Sequence, residues 1–352
     1  MIVDEHVFTD AYLPKKLLHR GAEVQVLANA FTPALNGDRP ADVVIYGPSG
    51  VGKTILTRHT FDRLQQQAAV DFVHIRSLGK SPAGIARAIL KELGGDPTRT
   101  TPEEELWRRL KTRVDRPLIV VLDEGDDLHT DALSRLAAIP LLAVVVIVHE
   151  PETLLSRVDD EQVRQRLVGQ ELELSRYGCR ELADILEPRV YHGLTVDVER
   201  GYLESIADHV GGVAREGIQT LRAAAEIAAE EQVAVESAGI ERAYERAMQW
   251  IRQSNLESLP LHHQVLYALI RAAGEITADS LHARYDETAP AIYDGHERVP
   301  VGRRSRRHKL SKLVEYGLIE CEGAARDRTY AVVDRSIESK LGDHIANQQQ
   351  MA

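Results

Sequence analysis

Cysteine is nearly absent: Cys179 and Cys321 are the only two in 352 residues, and neither has Cys or His beside it at metal-ligand spacing. A disulfide framework and a structural zinc site are therefore excluded, and the thiols read as buried or incidental. No apolar run approaches the roughly 20 residues that a bilayer-spanning helix needs. The N-terminal MIVDEHVFTD is acidic where a secretory leader is basic and then apolar. Membrane insertion and export drop out, leaving a cytoplasmic location as the expectation. Lysine is scarce, and the formal charge of −11 excludes indiscriminate binding of nucleic acid by the whole surface, because an acidic protein repels phosphate at long range. Any contact with DNA must be local. Internal repeats are lacking, and the one low-complexity stretch is a polar tail ending NQQQMA, expected to be disordered.

What is present is enough chain for two or three domains. From Asp42 to His149 short β-branched runs (DVVIYG, FVHIRS, LIVVLDE, AVVVIV) alternate with helical stretches, one beginning at Lys53 and another spanning about Ser81 to Leu93. Continuous apolar runs separated by helices predict buried parallel strands in an α/β sheet. Beyond Ser175 helical spacing takes over, as in Leu182, Ile185 and Leu186 or Leu203, Ile206 and Val210, and predicts a small helical domain ending near Ser254. After LESLP a helix holding Val265, Leu266, Leu269 and Ile270 comes first. A second lies around Asp279 to Arg284, a basic third runs from Gly302 to Tyr316, and the strands LIECE and TYAVV follow, joined by GAARDR. That order predicts a winged helix-turn-helix.

Residues 47–54 read GPSGVGKT, after a strand at Val43 to Tyr46 and before a helix. Gly47, Pro48, Ser49, Gly50, Val51 and Gly52 supply a loop whose N–H groups wrap phosphates; Lys53 meets the β and γ oxygens, and Thr54 holds Mg²⁺. LIVVLDEGDDL supplies the acidic half of such a site, Asp123 as the metal partner and Glu124 to polarise an attacking water. ATP or ADP with Mg²⁺ is the expected ligand set.

On these residues nearly the whole chain resembles the archaeal origin recognition complex and cell division control protein 6 family of AAA+ replication initiators. The acidic, arginine-rich balance points further to a salt-loving archaeon. The resemblance implies a P-loop AAA+ domain at 1–175, a helical lid at 176–254, a winged-helix DNA-binding domain at 255–340 and a tail at 341–352. YLPKKLLHR, followed by the run into the phosphate loop, is similar to the family segment that packs on adenine, which gives Tyr12, Pro14 and Arg20 a place beside the nucleotide. GGVAREGIQTL is similar to the family's second sensor, with Arg215 on the position that reaches the γ-phosphate. Two features depart from the pattern. His149 and Glu150 stand where the family has a sensor Asn that aligns water, so hydrolysis is expected to be slow. For an arginine finger, Arg157, Arg164 and Arg166 offer no clean match, and surface salt-bridging is the competing account of each.

In VGRRSRRHKLSKLVEYGLIE, Arg303, Arg304, Arg306, Arg307, Lys309 and Lys312 form a cationic face opposite Leu310, Leu313 and Val314. So concentrated a patch within an acidic chain is the footprint of phosphate and major-groove contacts. The helix also resembles the family's recognition helix, with Arg326 and Arg328 at the wing tip. The leading reading is an ATP-binding initiator that recognises double-stranded origin DNA and, by resemblance alone, recruits or loads a replicative helicase together with other initiator copies. An ATP-gated transcription regulator is the alternative. A pure ATPase acting only on proteins is a third class, against which the basic helix counts.

Overall fold

A computed structural model describes residues 1–295, 298–324 and 327–341, so most of the expected tail lies outside the described residues. The chain divides into two compact units, the first Met1–Ile240 and the second beginning at Glu241.

The first unit opens with α1 (Gly21–Phe31), β1 (Val43–Tyr46), α2 (Lys53–Gln65), β2 (Asp71–Arg76), α3 (Pro82–Glu92) and α4 (Glu103–Arg113). It continues through β3 (Leu118–Asp123), α5 (Thr130–Ala137), β4 (Leu142–Ile147), α6 (Pro151–Leu155), α7 (Glu161–Val168) and β5 (Glu171–Glu173). The helices α8 (Cys179–Gly193), α9 (Arg200–His209) and α10 (Ala214–Glu231) then stand without strands between them, as the change of pattern after Ser175 predicts. Ser81 caps α3, its hydroxyl accepting from the Gly84 amide at 3.1 Å, which explains why that helix starts where it does.

All strands of the sheet pair in parallel, in the order β2-β3-β4-β1-β5. Alternation along each strand divides its side chains between two cores. Val44, Val120, Leu122, Val144 and Val146 pack with Ile85, Leu106 and Leu133 on one face. Val43, Ile45, Ile119, Val121, Val145 and Ile147 pack with Leu27, Phe31 and Leu56 on the other. A strand covered on both faces has to be apolar throughout, which is why β3 and β4 are uninterrupted Val, Ile and Leu runs in the sequence. β5 escaped that signature because Leu172 is its one buried residue, between two exposed glutamates.

The second unit contains all but the first residue of α11 (Ile240–Ser258), which runs unbroken through Ser254, then α12 (Leu261–Ala273), β6 (Glu275–Thr277), α13 (Ala278–Ile292), α14 (Arg303–Glu315), β7 (Ile319–Glu322) and β8 (Thr329–Val332). Its sheet is antiparallel in the order β6-β8-β7, one strand more than the hairpin read from the sequence. β6 is three residues long with a single inward side chain, Ile276, too short for period-2 alternation to register. α12 is the centre of the unit, with Val265, Leu266, Tyr267, Leu269 and Ile270 fully enclosed.

His263 sits in that interior with neither ring nitrogen hydrogen-bonded. Burial, with the nearby charges of Lys309, His262 and Lys312, pushes its pKa down to about 3, and burial chiefly brings His262 to about 4. A histidine held neutral when folded stabilises the fold above its ordinary pKa of 6.5. That stabilisation is lost as pH falls from there toward the folded value, since the unfolded chain takes up protons first. The thermal midpoint should therefore fall between about pH 7 and about pH 5, and His263→Phe should reduce the fall. Melts of both proteins at the two pH values check this; an unchanged pH dependence in the variant would count against it.

Candidate functional site

Parallel pairing brings the C-terminal ends of β1, β4 and β3 to one edge of the sheet, with Ile45 beside Ile147 and Leu122 beside Val146. Loops that leave such an edge form the usual ligand crevice of an open α/β sheet. Residues 47–52 leave β1 there and return into α2. Gly47 has φ 134°, and a Cβ at that position would lie 2.2 Å from the Leu174 carbonyl oxygen, so no other residue fits. Val51 is fully buried and anchors the loop, whereas Ser49 is exposed at its rim. α2 begins at Lys53 with Gly52 as its cap, a residue with no side chain to accept from the first amides, an arrangement suited to an anion. The Lys53 ammonium folds back over the loop and donates to the carbonyls of Gly47 at 2.6 Å and Pro48 at 2.8 Å.

Thr54 and Asp123, far apart in sequence, meet here: the Thr54 hydroxyl donates to Asp123 Oδ2 at 2.7 Å. His74 Nε2 lies 3.1 Å from the same oxygen, and the Glu124 amide donates to Oδ1 at 2.9 Å. Burial by itself would raise the Asp123 pKa. The bonds from His74, Thr54 and the Glu124 amide outweigh it and hold the carboxyl below its ordinary value. An ionised carboxylate beside a hydroxyl is a hard-oxygen donor pair, the chemistry Mg²⁺ prefers. Glu124 adopts a left-handed backbone, φ 56°, and its Oε1 is 2.7 Å from Arg76 Nη2. Ser77 locks the turn, its hydroxyl donating to the carbonyls of Asp123 at 2.7 Å and Glu124 at 3.1 Å.

His74, Arg76 and Ser77 were not singled out from the sequence. The usable signal is the alternation in DFVHIRS, where Val73 and Ile75 turn inward and His74 and Arg76 share the other face of a strand paired in register with β3. His149, just past β4, donates its amide to Asp126 Oδ1 at 2.8 Å. Arg157 is tied to the carbonyls of Asp126 and Leu128, Arg164 pairs with Glu161, and Arg166 donates to the Ala137 carbonyl at 3.3 Å. All three are thus engaged within their own chain.

The helices after Ser175 close on the loop. The Arg215 amide donates to the Gly50 carbonyl at 3.1 Å, and a Cβ on Gly50 would lie 3.2 Å from that of Arg215. The Arg215 guanidinium reaches Asp10 Oδ2 at 3.1 Å. Arg20 is buried, donating to the Tyr177 hydroxyl at 3.0 Å, the Ser175 carbonyl at 2.6 Å and the Val51 carbonyl at 3.4 Å. Pro14 meets α2 through its carbonyl, which is hydrogen-bonded to His59. Tyr12 packs edge-on against His6, ring centroids 5.7 Å apart. Of the three N-terminal residues expected beside a nucleotide, Arg20 thus touches the loop, Pro14 meets α2, and Tyr12 lies against His6 and, 5.5 Å from the Arg189 guanidinium, against α8.

In the second unit α14 carries the cationic residues, and its phase corrects the expectation in part. Arg303, Arg304 and Arg307 are exposed, and Lys309 is half-buried. Arg306 and Lys312 are only 4% and 5% exposed and do not belong to an outward cationic face. Arg306 fixes α14 to α13, donating to the carbonyls of Val301 at 2.8 Å and His282 at 3.0 Å, pairing with Asp286 and lying 4.1 Å from the Tyr285 ring centroid. The Lys312 ammonium pairs with Glu315 at 2.9 Å and lies 4.8 Å from the Tyr316 ring centroid. An alkyl stem buried under a paired head satisfies both chemistries of a long cation, so composition could not separate these two from their neighbours. Val314, expected on the inner face, is 41% exposed. Arg328 is exposed beside β8, and Arg326 lies outside the described residues. Cys179 and Cys321 are free thiols and both exposed, which removes the buried alternative and leaves the incidental one.

A family model described as the AAA ATPase domain matches residues 16–147. The ORC1-type DNA replication protein 9 of Halobacterium salinarum is 31% identical to this chain over 96% of each. Among solved structures, the Aeropyrum pernix ORC1 protein in complex with DNA is similar at a TM-score of 0.75 and 24% identity, covering 100% of this chain and 99% of its own. The Aeropyrum pernix ORC2 protein in its ADPNP-ADP complexes gives a TM-score of 0.62 at 23% identity, covering 100% of both chains. At these identities the structural likeness speaks for the fold.

If residues 47–54 are the phosphate site, Lys53→Ala removes the one ammonium lying over the loop. ATP and ADP retention should fall ~10-fold or more, since hydrogen bonds to charged groups are worth about 1.5–3 kcal/mol. Filter binding of labelled nucleotide reads this out, and equal retention by both proteins would place the nucleotide elsewhere.

Proposed function

Since the chain belongs to the ORC1-type DNA replication proteins, we propose that it is a nucleotide-switched replication initiator with a nucleotide-binding domain, a helical lid and a winged-helix reader of origin DNA. The observation that carries the reading is the meeting of Lys53, Thr54, Asp123, Glu124 and Arg215 around one loop. ATP or ADP occupies that loop, its phosphates on the N–H groups of residues 47–52 and the start of α2. Thr54 and Asp123 would hold Mg²⁺, which when bound neutralises phosphate charge as a Lewis acid. Arg215, the lid residue touching the loop through its own backbone, reports the γ-phosphate. Glu124 orients the attacking water, and His149 takes the sensor position.

The relatives favour an initiator over a promoter regulator. Recruitment or loading of a helicase, with further initiator copies, completes the proposed role. DNA recognition is assigned to the exposed face of α14, where Arg304 and Arg307 are spaced to reach base edges. Arg303, Lys309 and the Arg328 side of the wing supply phosphate contacts.

Two measurements test this reading. Arg304→Ala or Arg307→Ala should cost ~1 to 3 kcal/mol of duplex affinity and relax sequence preference, whereas Arg303→Ala should weaken all duplexes alike and reduce the salt slope by about one unit. Titrations of origin-flanking and random duplexes at two salt concentrations separate the two behaviours; unchanged affinities throughout would leave α14 a solvated surface. Hydrolysis should be slow, because losing one transition-state contact commonly costs ~10² to 10³ in rate. His149→Asn should raise phosphate release without changing nucleotide affinity. A variant no faster than its parent would remove His149 from the sensor position.

A further inference from the structure

Besides Arg306, a chain of buried hydroxyls holds the start of α14. Val301, the residue before the Gly302 cap of that helix, is engaged at both ends of its backbone. Its amide donates to the Tyr285 hydroxyl at 3.2 Å, and its carbonyl accepts from Arg306 Nε at 2.8 Å. The Tyr285 hydroxyl lies 2.8 Å from that of Tyr293, which in turn lies 2.7 Å from Nδ1 of His262. Tyr285 is fully buried and Tyr293 nearly so. The chain therefore runs from the residue that leads into α14, through α13 and its cap, to the first turn of α12.

Counting protons fixes its direction. The Val301 amide can only donate, so the Tyr285 oxygen accepts there and its own proton goes to Tyr293. The Tyr293 proton then needs a bare Nδ1 on His262. In the reverse order Nδ1 carries hydrogen, and the Tyr285 proton has no acceptor among the described residues, which is costly for a buried hydroxyl. Burial, with the charges of Lys309 and Arg298, brings the His262 pKa down to about 4, so the ring is neutral near pH 7 and can present that lone pair. A buried network with every member satisfied is stiff.

What it holds is the end of α14 that matters for reading. Arg303 and Arg304 stand exposed in the first turn of α14, and helices that read the major groove set their N-terminal residues on base edges. A planar guanidinium forked onto a base needs its helix in one place, whereas a phosphate contact carries no sequence information. We propose that Tyr293 and His262 are positioning residues for DNA recognition, fixing the first turn of α14 through Tyr285 and Val301 and so setting sequence preference more than affinity. This rests on the reading of α14 as the helix that contacts DNA.

Titration of the full chain with origin-flanking and random duplexes tests the assignment. Tyr293→Phe removes one oxygen from the middle of the chain, and His262→Leu removes its terminal acceptor. Each should narrow the ratio of the two affinities ~5-fold or more, the worth of a single hydrogen bond, and leave the random duplex within about twofold. His262→Asn, whose amide oxygen can accept near the Nδ1 position, should keep the ratio within about twofold of the parent. Should His262→Leu melt early, Tyr293→Phe carries the comparison. A purely structural role would weaken both duplexes alike and would not distinguish Asn from Leu at this position. An unchanged ratio in Tyr293→Phe, or equal losses on the two duplexes, would overturn the positioning role. If Arg304→Ala narrows the ratio while Tyr293→Phe does not, α14 reads DNA without this chain. A wild type that binds both duplexes equally removes the reading of α14 and the positioning role with it.

Discussion

Parallel pairing of β1, β4 and β3 is the constraint from which the candidate site follows. Because these strands run the same way and are buried on both faces, their C-terminal ends share one edge. Any residue that terminates one of them is delivered to the same crevice. Thr54 and Asp123 are separated by 69 positions yet share a hydrogen bond of 2.7 Å for this reason. The apolar runs that make the strands also make the edge rigid, since side chains packed into the two cores cannot shift without opening voids.

On that rigid edge the polar groups are mutually satisfied. Asp123 receives Thr54, His74 and the Glu124 amide, and Ser77 braces the strained turn that carries Glu124. This connectivity holds a shielded carboxylate ionised against desolvation, which isolated acids at a strand end would not achieve. The closing helices add a second layer of contacts. Arg215 touches the loop through its backbone while its side chain bonds Asp10, so one residue links the loop, α10 and the N-terminal segment. In the second unit Arg306 does related work, donating from each of its three nitrogens, to Val301, His282 and Asp286, and so tying α14 to α13. The exposure of Arg304 and Arg307 follows from that inward anchor, because residues on one helix keep a fixed phase.

By itself the sequence determined the α/β class, four of the five strands of the main sheet, the helical stretch after Ser175, the glycine-rich loop between β1 and α2 and the acidic strand end. Each of these rests on a local pattern: continuous β-branched runs, helical periodicity, or glycines at fixed spacing before Lys53. Tertiary structure alone decided which cations face solvent and which polar groups meet. Arg306 and Lys312 look like Arg304 and Arg307 in composition, and only packing against Tyr285 and Tyr316 turns them inward. His74 and Arg76 meet Asp123 and Glu124 only when β2 docks beside β3. β5 and β6, with one inward residue each, are strands solely because a neighbour supplies their hydrogen bonds. Local patterns follow from bonding along the chain, whereas burial, partner and charge state are properties of the neighbours that folding brings together.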